Sequence, residues 1–229
     1  MSRVVGGSNV TEHWRDLAAA AGVAEGELIQ ACRRRRFARG EVIFHEGDPS
    51  GGLHLIDVGR VAVKLTTPGG EVGLVDVLQP GDAVGEQSLL DASGVRTATV
   101  TAIARVETLL LDPQKFSELR ARSRGVDEFV LRLISRRLTA TSQRLIEALY
   151  LPADDRIVRS LHRLANVFAI DGEHTIPLTQ NDIAEMAGVT RSTANRMLRD
   201  LQDSGLICIT RGRIAITDRD ALERRAAVR

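Results

Sequence analysis

The sequence Gly85-Glu86-Gln87-Ser88-Leu89-Leu90, followed after a short spacer by Arg96-Thr97-Ala98, brings together groups that can hold a ribose phosphate. Glycine lets a ligand approach the backbone closely. The Glu86 carboxylate can accept hydrogen bonds from ribose hydroxyls, and the Arg96 guanidinium offers a charged fork for phosphate oxygens. Thr97 adds a hydroxyl, and the backbone N–H groups of such a loop can form an anion-binding nest.

This motif lies in a region of short β-branched runs separated by glycine turns, between about residues 36 and 112. The runs cover residues 42–44, 53–58, 61–65, 72–78, 97–103 and 106–111. Short strands at such regular spacing are typical of a sandwich, a barrel or a jelly roll. Before them, residues 11–31 predict a helical lead-in whose apolar face contains Trp14, Leu17, Val23, Leu28 and Ile29.

The hydrophobic period becomes helical from residue 126 to 150. Leu131, Ile134, Leu138, Thr141, Leu145 and Ala148 follow one another at spacings of 3, 4, 3, 4 and 3 residues. This is the spacing of a coiled-coil seam and predicts a helix that pairs with its own copy in a dimer. An amphipathic helix that packs on its own domain gives a similar stripe and is the alternative. Pro152 predicts the end of this helix and a hinge, and Asp154 can cap the next helix.

The C-terminal part has the pattern of a helix-turn-helix. Thr179 and Asp182 predict a capping box at the start of one helix, and Gly188 suits a sharp turn. Thr190 can cap the second helix, which Gly205 can end. The second helix leaves polar side chains free on its outer side: Arg191, Ser192, Asn195, Arg196 and Arg199.

Residues 206–210 and 213–217 flank Arg211-Gly212 and predict a two-stranded wing after these helices. Between residues 190 and 213 there are five arginines and two aspartates, a local excess of +3 in a chain whose net charge is +1. This pattern favours a winged helix-turn-helix that binds DNA, and a small helical domain that binds protein is the alternative. The four-arginine run at 33–36 is interpreted as a solvated strand edge, with nucleic acid binding as the other reading.

Several other functions are disfavoured by the sequence. No apolar stretch is long enough to cross a bilayer, and the first ten residues lack the layout of a signal peptide. Cys32 and Cys208 fit no disulfide framework or metal-ligand spacing, so we expect reduced thiols in the cytoplasm. A cupin-type metalloenzyme needs several histidines and a glutamate around one metal, but His45 and His54 have no suitable partners. We therefore assign no catalytic residue and no metal.

Taken together, these parts resemble the cyclic AMP receptor protein family (CRP/FNR type) of bacterial transcription regulators, from about residue 12 to residue 218. The resemblance implies an α+β fold with three parts. A cyclic-nucleotide-binding β-roll (a jelly roll) would occupy residues 1–125, a dimerisation helix and hinge residues 126–151, and a winged helix-turn-helix residues 152–229.

Residues 81–86 and 96–98 match the phosphate-binding cassette of that family. The resemblance implies that Glu86 binds the ribose 2′-hydroxyl and that Arg96 and Thr97 bind the cyclic phosphate. It also implies a backbone contact from Gly85, and Ala98 completes the motif.

The segment 136–142 resembles the part of the dimer helix in which a Thr-Ser pair meets the adenine. The resemblance implies that Thr141 acts in its own subunit and that Ser142 reaches the ligand of the partner. Thr141 is also unusual as a hydroxyl in an apolar seam, where a buried polar group needs a partner. A hydrogen bond back to its own helix is the alternative.

The second helix departs from the family's best-known recognition motif, Arg-Glu-Thr-x-x-Arg, because Ser192 stands in place of the glutamate. Arg191 and Arg196 can still bind guanine, but the carboxylate that accepts from cytosine is missing, so we expect the base preference to relax or shift. Pro152 also stands where the family has an aspartate. The predicted DNA-binding residues are Thr179, Thr190, Arg191, Ser192, Thr193, Asn195, Arg196, Arg199 and Arg211.

The resemblance implies a homodimeric, cytoplasmic regulator that responds to cyclic AMP and binds a near-palindromic operator in double-stranded DNA. RNA polymerase is implied as a further partner, and no membrane is expected. Two alternatives within the same fold are a sensor of cyclic GMP or another effector, and a protein that binds DNA without an effector. An iron–sulfur sensor would need a cysteine cluster that this chain lacks.

Overall fold

The structure, a computed structural model, describes residues 10–86, 94–170 and 173–227. They form two compact units: residues up to Val63 with Leu78–Thr139, and Lys64–Val77 with residues from Ala140 onward. The helices are α1 (Val10–Ala21), α2 (Glu25–Ala31), α3 (Pro113–Arg122), α4 (Gly125–Tyr150), α5 (Ala153–Val167), α6 (Gln180–Ala187), α7 (Arg191–Asp203) and α8 (Arg219–Ala227). The strands are β1 (Arg33–Phe37), β2 (Val42–Phe44), β3 (Leu53–Val58), β4 (Val61–Thr66), β5 (Val72–Leu78), β6 (Ala83–Val84), β7 (Thr99–Ala102), β8 (Val106–Leu111), β9 (Ala169–Ile170), β10 (Glu173–Ile176), β11 (Ile207–Thr210) and β12 (Arg213–Ile216).

Two four-stranded sheets form the β region, in the orders β1-β8-β3-β6 and β2-β7-β4-β5. One core cluster contains side chains from both sheets, among them Phe37, Ile56, Val63 and Val100. Because side chains alternate along a strand, β3 also presents Leu53 to the opposite side. The predicted α+β fold with an N-terminal β-roll is confirmed, and the six predicted strands are all present.

Helices cover the outer face of the first sheet. Trp14 and Leu17 from α1, Leu28 from α2 and Phe116 from α3 pack with Leu109 and its neighbours in a second core cluster. This explains why β3 is buried at nearly every position, since both of its faces are covered. The predicted helical lead-in is two helices, because Gly22 adopts a positive φ of 66° that ends the first.

The long helix α4 ends at Tyr150, as Pro152 predicted. The prediction that Asp154 caps the next helix is wrong. Pro152 itself occupies the N-cap position, and Asp154 lies in the first turn of α5, where a carboxylate interacts favourably with the positive end of the helix. Glu147 near the end of α4 is buried and pairs with Arg163 of α5 at 2.6 Å.

The helix-turn-helix is formed by α6 and α7, and a four-stranded sheet of order β11-β12-β10-β9 accompanies it. The predicted two-stranded wing is present as β11 and β12, with Ile209 opposite Ile214. It is not isolated, because β10 pairs with the other edge of β12. Asp171 and Gly172, between β9 and β10, fall outside the described residues. None of the helices described in the structure is long and apolar enough to span a membrane.

Candidate nucleotide pocket and nucleic-acid interface

Arg96 lies at the centre of the predicted cassette and is 5% exposed. Its backbone is fixed by the loop that follows β2, because its N–H donates to the Asp48 carbonyl at 2.8 Å and its carbonyl accepts from the Gly47 N–H at 2.8 Å. Its side chain donates from Nη2 to the Gly52 carbonyl at 2.9 Å. The guanidinium carbon lies 4.1 Å from the centre of the Phe44 ring. The cation is therefore held by hydrogen bonding and by stacking.

Glycines make room for this guanidinium. Gly85 has a φ of 85°, and a Cβ built there would overlap Nη1 of Arg96. Gly52 has a φ of 111°, and a Cβ there would overlap the Leu111 carbonyl oxygen. Both positions thus require glycine for backbone conformation and for space. The sequence reasoning identified Gly85 but missed Gly52, which lies 44 residues from Arg96.

Glu86 is 9% exposed and its Oε1 lies 3.0 Å from Nη1 of Arg137 on α4. Burial lowers the pKa of Arg96, while the negative charges of Glu86 and Asp48 oppose that shift. A buried cation next to glycine backbone is suited to bind an anion, since charge-assisted hydrogen bonds are stronger away from water. Sequence reasoning did not assign Arg137 to the site. Its position in the matched segment 136–142 was the available signal.

The other predicted nucleotide-binding residues occupy different environments. Thr97 is exposed, Ala98 packs against the core between the sheets, and residues 87–93 fall outside the described chain. Thr141 and Ser142 are exposed on α4. Within the described residues, the Thr141 hydroxyl has no hydrogen-bond partner, whereas Thr139 bonds back to the Ser135 carbonyl at 2.9 Å. The back-bonding alternative therefore does not describe Thr141 in this structure.

The predicted seam of α4 presents apolar side chains to solvent. Leu131, Leu138 and Leu145 are 64%, 65% and 58% exposed. Ile134, also in the seam, is partly buried against the helical core cluster. A row of leucines at seven-residue spacing, exposed in a single chain, is typical of a helix that pairs with another helix.

The recognition helix α7 begins as the sequence predicted. Oγ1 of Thr190 accepts a hydrogen bond from the Thr193 N–H at 3.2 Å. The preceding helix has the complete capping box between Thr179 and Asp182, and Gly188 ends it with a φ of 60°. These caps fix the directions of both helices and the turn between them.

The two faces of α7 differ in polarity. Ala194, Met197, Leu198 and Leu201 are buried. The predicted DNA-binding residues on the other side are exposed (Arg191, Ser192, Arg196, Arg199) or partly buried (Thr193, Asn195), and Thr179, Thr190 and Arg211 are exposed outside the helix. The exposed face carries three arginines and no acidic group within residues 191–199, which suits the phosphates and base edges of a major groove.

The histidines and cysteines of the described residues lie in separate surroundings. The part of the chain that the structure describes contains no cluster of three or more His, Cys, Asp or Glu side chains suited to a metal. His45 follows β2 in a turn, and the buried His54 on β3 bonds through Nδ1 to Oγ1 of Thr108 at 3.0 Å. Both cysteines are free, and burial raises the pKa of the Cys32 thiol to about 12, so it stays protonated.

Both halves of the chain match known protein families. Residues 34–123 match the cyclic nucleotide-binding domain family, and residues 155–225 match the Crp-like helix-turn-helix domain family. A protein of Mycobacterium tuberculosis, described as a CRP-like cAMP-activated global transcriptional regulator, is 31% identical over 194 residues, which are 83% of this chain and 86% of that protein. The chain belongs to the CRP family of transcription regulators. It is a DNA-binding regulator with a cyclic nucleotide-binding domain, and its family is one of regulators, not enzymes.

Solved structures have the same fold. A CRP-family transcriptional regulator from Thermus thermophilus superposes with a TM-score of 0.71 at 26% identity, covering 85% of this chain and 97% of that one. The regulator CLP of Xanthomonas campestris, described as c-di-GMP responsive, also gives 0.71 at 22% identity, covering 84% and 97%. This second likeness concerns the fold alone.

Proposed function

We propose that this CRP-family regulator is a homodimer that binds cyclic AMP in the pocket of Gly85, Glu86, Arg96 and Thr97 and binds a near-palindromic operator in response. The observation that carries the nucleotide assignment is the buried Arg96 guanidinium beside the backbone of Gly85. A desolvated cation next to N–H groups binds a phosphate more strongly than an exposed arginine does. The carboxylate of Glu86 is close enough to influence Arg96 electrostatically. The two groups therefore lie near enough to each other to bind the ribose and the phosphate of one ligand.

Cyclic AMP is the proposed effector because of the hydroxyls on α4. Thr141 and Ser142 can donate to and accept from a purine edge, and the Thr141 hydroxyl lacks an internal partner within the described residues. The M. tuberculosis relative is described as cAMP-activated, which supports the same effector here. Cyclic GMP, cyclic di-GMP or no effector at all are the competing outcomes of the titration below.

Calorimetric titration of the purified protein with cyclic AMP tests the proposal directly, with cyclic GMP and cyclic di-GMP as comparison ligands. We expect one cyclic AMP site per subunit. Arg96→Ala should weaken binding at least about 10- to 100-fold, because each lost hydrogen bond to a charged group costs about 1.5–3 kcal/mol. Arg39→Ala removes an exposed arginine outside the pocket and should bind like the wild type. Unchanged affinity in the Arg96 variant would refute the assigned pocket.

Homodimerisation is proposed from the exposed leucines of α4, whose spacing fits pairing with a second copy. We propose residues 126–151 as the dimerisation helix and hinge between a β-roll domain (1–125) and a DNA-binding domain (152–229). Sedimentation velocity should give about twice the 24.9 kDa chain mass for the wild type. Leu138→Glu, which sets two carboxylates against each other in the seam, should give the monomer. Arg136→Glu, two positions away on another face of α4, should remain dimeric, and a dimeric Leu138→Glu protein would exclude the seam.

The operator should be a near-palindrome whose half-sites lie about one helical turn apart, since a two-fold dimer presents two recognition helices to successive major grooves. Arg196→Ala should lower the ratio of specific to random DNA affinity about 5- to 150-fold, because a bidentate arginine–guanine contact discriminates by about 1–3 kcal/mol. Arg224→Ala on α8 is the control for lost positive charge. An equal loss on both DNAs would make Arg196 a phosphate contact. RNA polymerase is the proposed further partner of the DNA-bound dimer.

A further inference from the structure

A short stack of rings lies behind the Arg96 guanidinium in the first unit. The Phe44 ring faces the guanidinium, and its centre is 5.9 Å from that of His54 at an interplanar angle of 45°. Phe37 lies on the His54 ring at 6.2 Å and 59°. The His54 ring is anchored by its hydrogen bond to Thr108, a residue with no exposed surface. The stack therefore connects Arg96 to the sandwich core.

Contacts of two different kinds help to orient the guanidinium. The hydrogen bond from Nη2 to the Gly52 carbonyl acts in the plane of the group. The Phe44 ring restrains the group from one face at 4.1 Å. In-plane hydrogen bonds and a ring against one face restrain different motions of a planar, delocalised cation, so the Phe44 contact adds a restraint that hydrogen bonds alone do not supply.

We propose that Phe44, supported by His54, is a positioning residue that holds the Arg96 guanidinium in the orientation that receives the effector's phosphate. The inference deepens the proposed function and rests on it. Phe44 itself need not touch the ligand. The chain places it on β2, 52 positions before Arg96 in sequence, outside the motif that marks the pocket.

The charge state of the stack supports this role. Burial lowers the pKa of His54 to about 4, and the positive charges of Arg96 and Arg35 act in the same direction. His54 is therefore neutral near pH 7, and its ring adds no positive charge behind Phe44 to oppose Arg96. A neutral imidazole packs on Phe44 as an aromatic ring does.

Removal of the Phe44 ring should lower the affinity for cyclic AMP. The Phe44 contact exists before the ligand binds, so its removal should weaken binding by leaving the Arg96 guanidinium less ordered in the free protein. The usual cost of immobilising one long side chain corresponds to about a 2- to 12-fold loss of affinity. This loss is much smaller than the effect expected for removing Arg96 itself.

The test is calorimetric titration of cyclic AMP into three variants, each checked for its fold by circular dichroism. Phe44→Leu should bind about 2- to 12-fold more weakly than the wild type. Phe44→Tyr keeps the ring and should restore wild-type affinity. Phe37→Leu is the matched control, because Phe37 contacts the same His54 ring, whereas Phe44 is the ring that faces the Arg96 guanidinium. Equal affinities for Phe44→Leu and Phe37→Leu would overturn the proposal. Phe44→Met serves in place of Phe44→Leu if the latter does not fold.

A second measurement separates this inference from the proposed function. The NMR signal of the Arg96 side-chain Nε–H, assigned by its loss in Arg96→Lys, reports the mobility of the guanidinium without any ligand. Its order parameter should be high in the wild type and in Phe37→Leu, and should be clearly lower in Phe44→Leu. A wild-type protein that binds no cyclic nucleotide would refute the proposed function. An order parameter unchanged in Phe44→Leu would overturn the positioning role, whatever the nucleotide result.

Discussion

Protonation of His54 should destabilise the β-roll in mildly acidic solution. His54 is 6% exposed, and burial, Arg96 and Arg35 lower its pKa from the ordinary 6.5 to about 4. Between these two values the unfolded chain binds a proton that the folded chain does not. Above pH 6.5 His54 is neutral in both states and does not lower the free energy of unfolding. As the pH drops below 6.5 the free energy of unfolding falls, and the His54 effect stops growing below about pH 4. At pH 5 the loss is about 2 kcal/mol, since one pH unit corresponds to about 1.36 kcal/mol.

Urea unfolding at pH 7.5 and pH 5.0 measures this loss. Trp14 is the single tryptophan of the sequence and is buried in the helical cluster of the first unit, so its fluorescence follows that unit. His54→Gln keeps a group that can bond to Thr108 and removes the titration. The wild type should lose about 2 kcal/mol more than His54→Gln between the two pH values, and the exposed-site variant His45→Gln should behave like the wild type. The same loss in wild type and His54→Gln would refute the reasoning, because carboxylates and other histidines titrate equally in both.

Two further predictions concern single positions. Gly85→Ala should weaken cyclic AMP binding by about tenfold or more, because the new Cβ overlaps Arg96 and displaces a charged hydrogen-bond donor; Gly70→Ala, which has a similar positive φ of 86° and open space around it, is the control in the same titration. Thr190→Ala should lower the free energy of unfolding of the DNA-binding domain by about 1 kcal/mol, because the Thr193 N–H loses its acceptor, and Thr190→Ser should not. Thermal unfolding measures the second effect, and equal stability of the two Thr190 variants would contradict it.

The sequence predicted the strands and helix caps that are determined by residues close to one another along the chain. The strands 53–58 and 106–111 could be predicted because β-branched runs and glycine turns act over a few residues. The caps of α6 and α7 could be predicted for the same reason. In contrast, β9 and β10 were missed, because Ala169–Ile170 and Glu173–Ile176 have little β pattern of their own and pair with each other and with β12.

For the arginine run of β1, the sequence could predict that the side chains are exposed but not which residues they contact. The interpretation of residues 33–36 as a solvated strand edge agrees with the structure, where all four side chains are exposed and β1 is an edge strand. Sequence could not predict their partners. Arg34 pairs with Asp57 at 2.7 Å and with Glu107 at 3.0 Å, and Arg36 pairs with Glu107 at 3.3 Å. These acids come from β3 and β8, which only the sheet brings to β1.

The candidate pocket also contains some residues that the sequence could predict and others that it could not. Gly85, Glu86 and Arg96 form a compact motif and were predicted as pocket residues from their residue types. The groups that hold Arg96 in place, Gly52 and Phe44, come from the loop and strand 44 and 52 residues earlier and carry no motif. A candidate ligand-binding cation can be predicted from a sequence motif, but its orientation depends on packing that the sequence does not display.

The pairing of Glu86 with Arg137 gives the proposed regulator a physical route from pocket to dimer. Arg137 lies next to Leu138, an exposed seam residue of α4. If a ribose hydroxyl donates to Glu86, as we propose, it binds the same nearly buried carboxylate that Arg137 contacts through Oε1. The ligand then changes the surroundings of α4 one residue from the seam. Such a shared group couples two sites reciprocally, typically by about 1–3 kcal/mol. Dimerisation should therefore change the affinity for nucleotide by the same factor by which nucleotide changes the dimerisation constant.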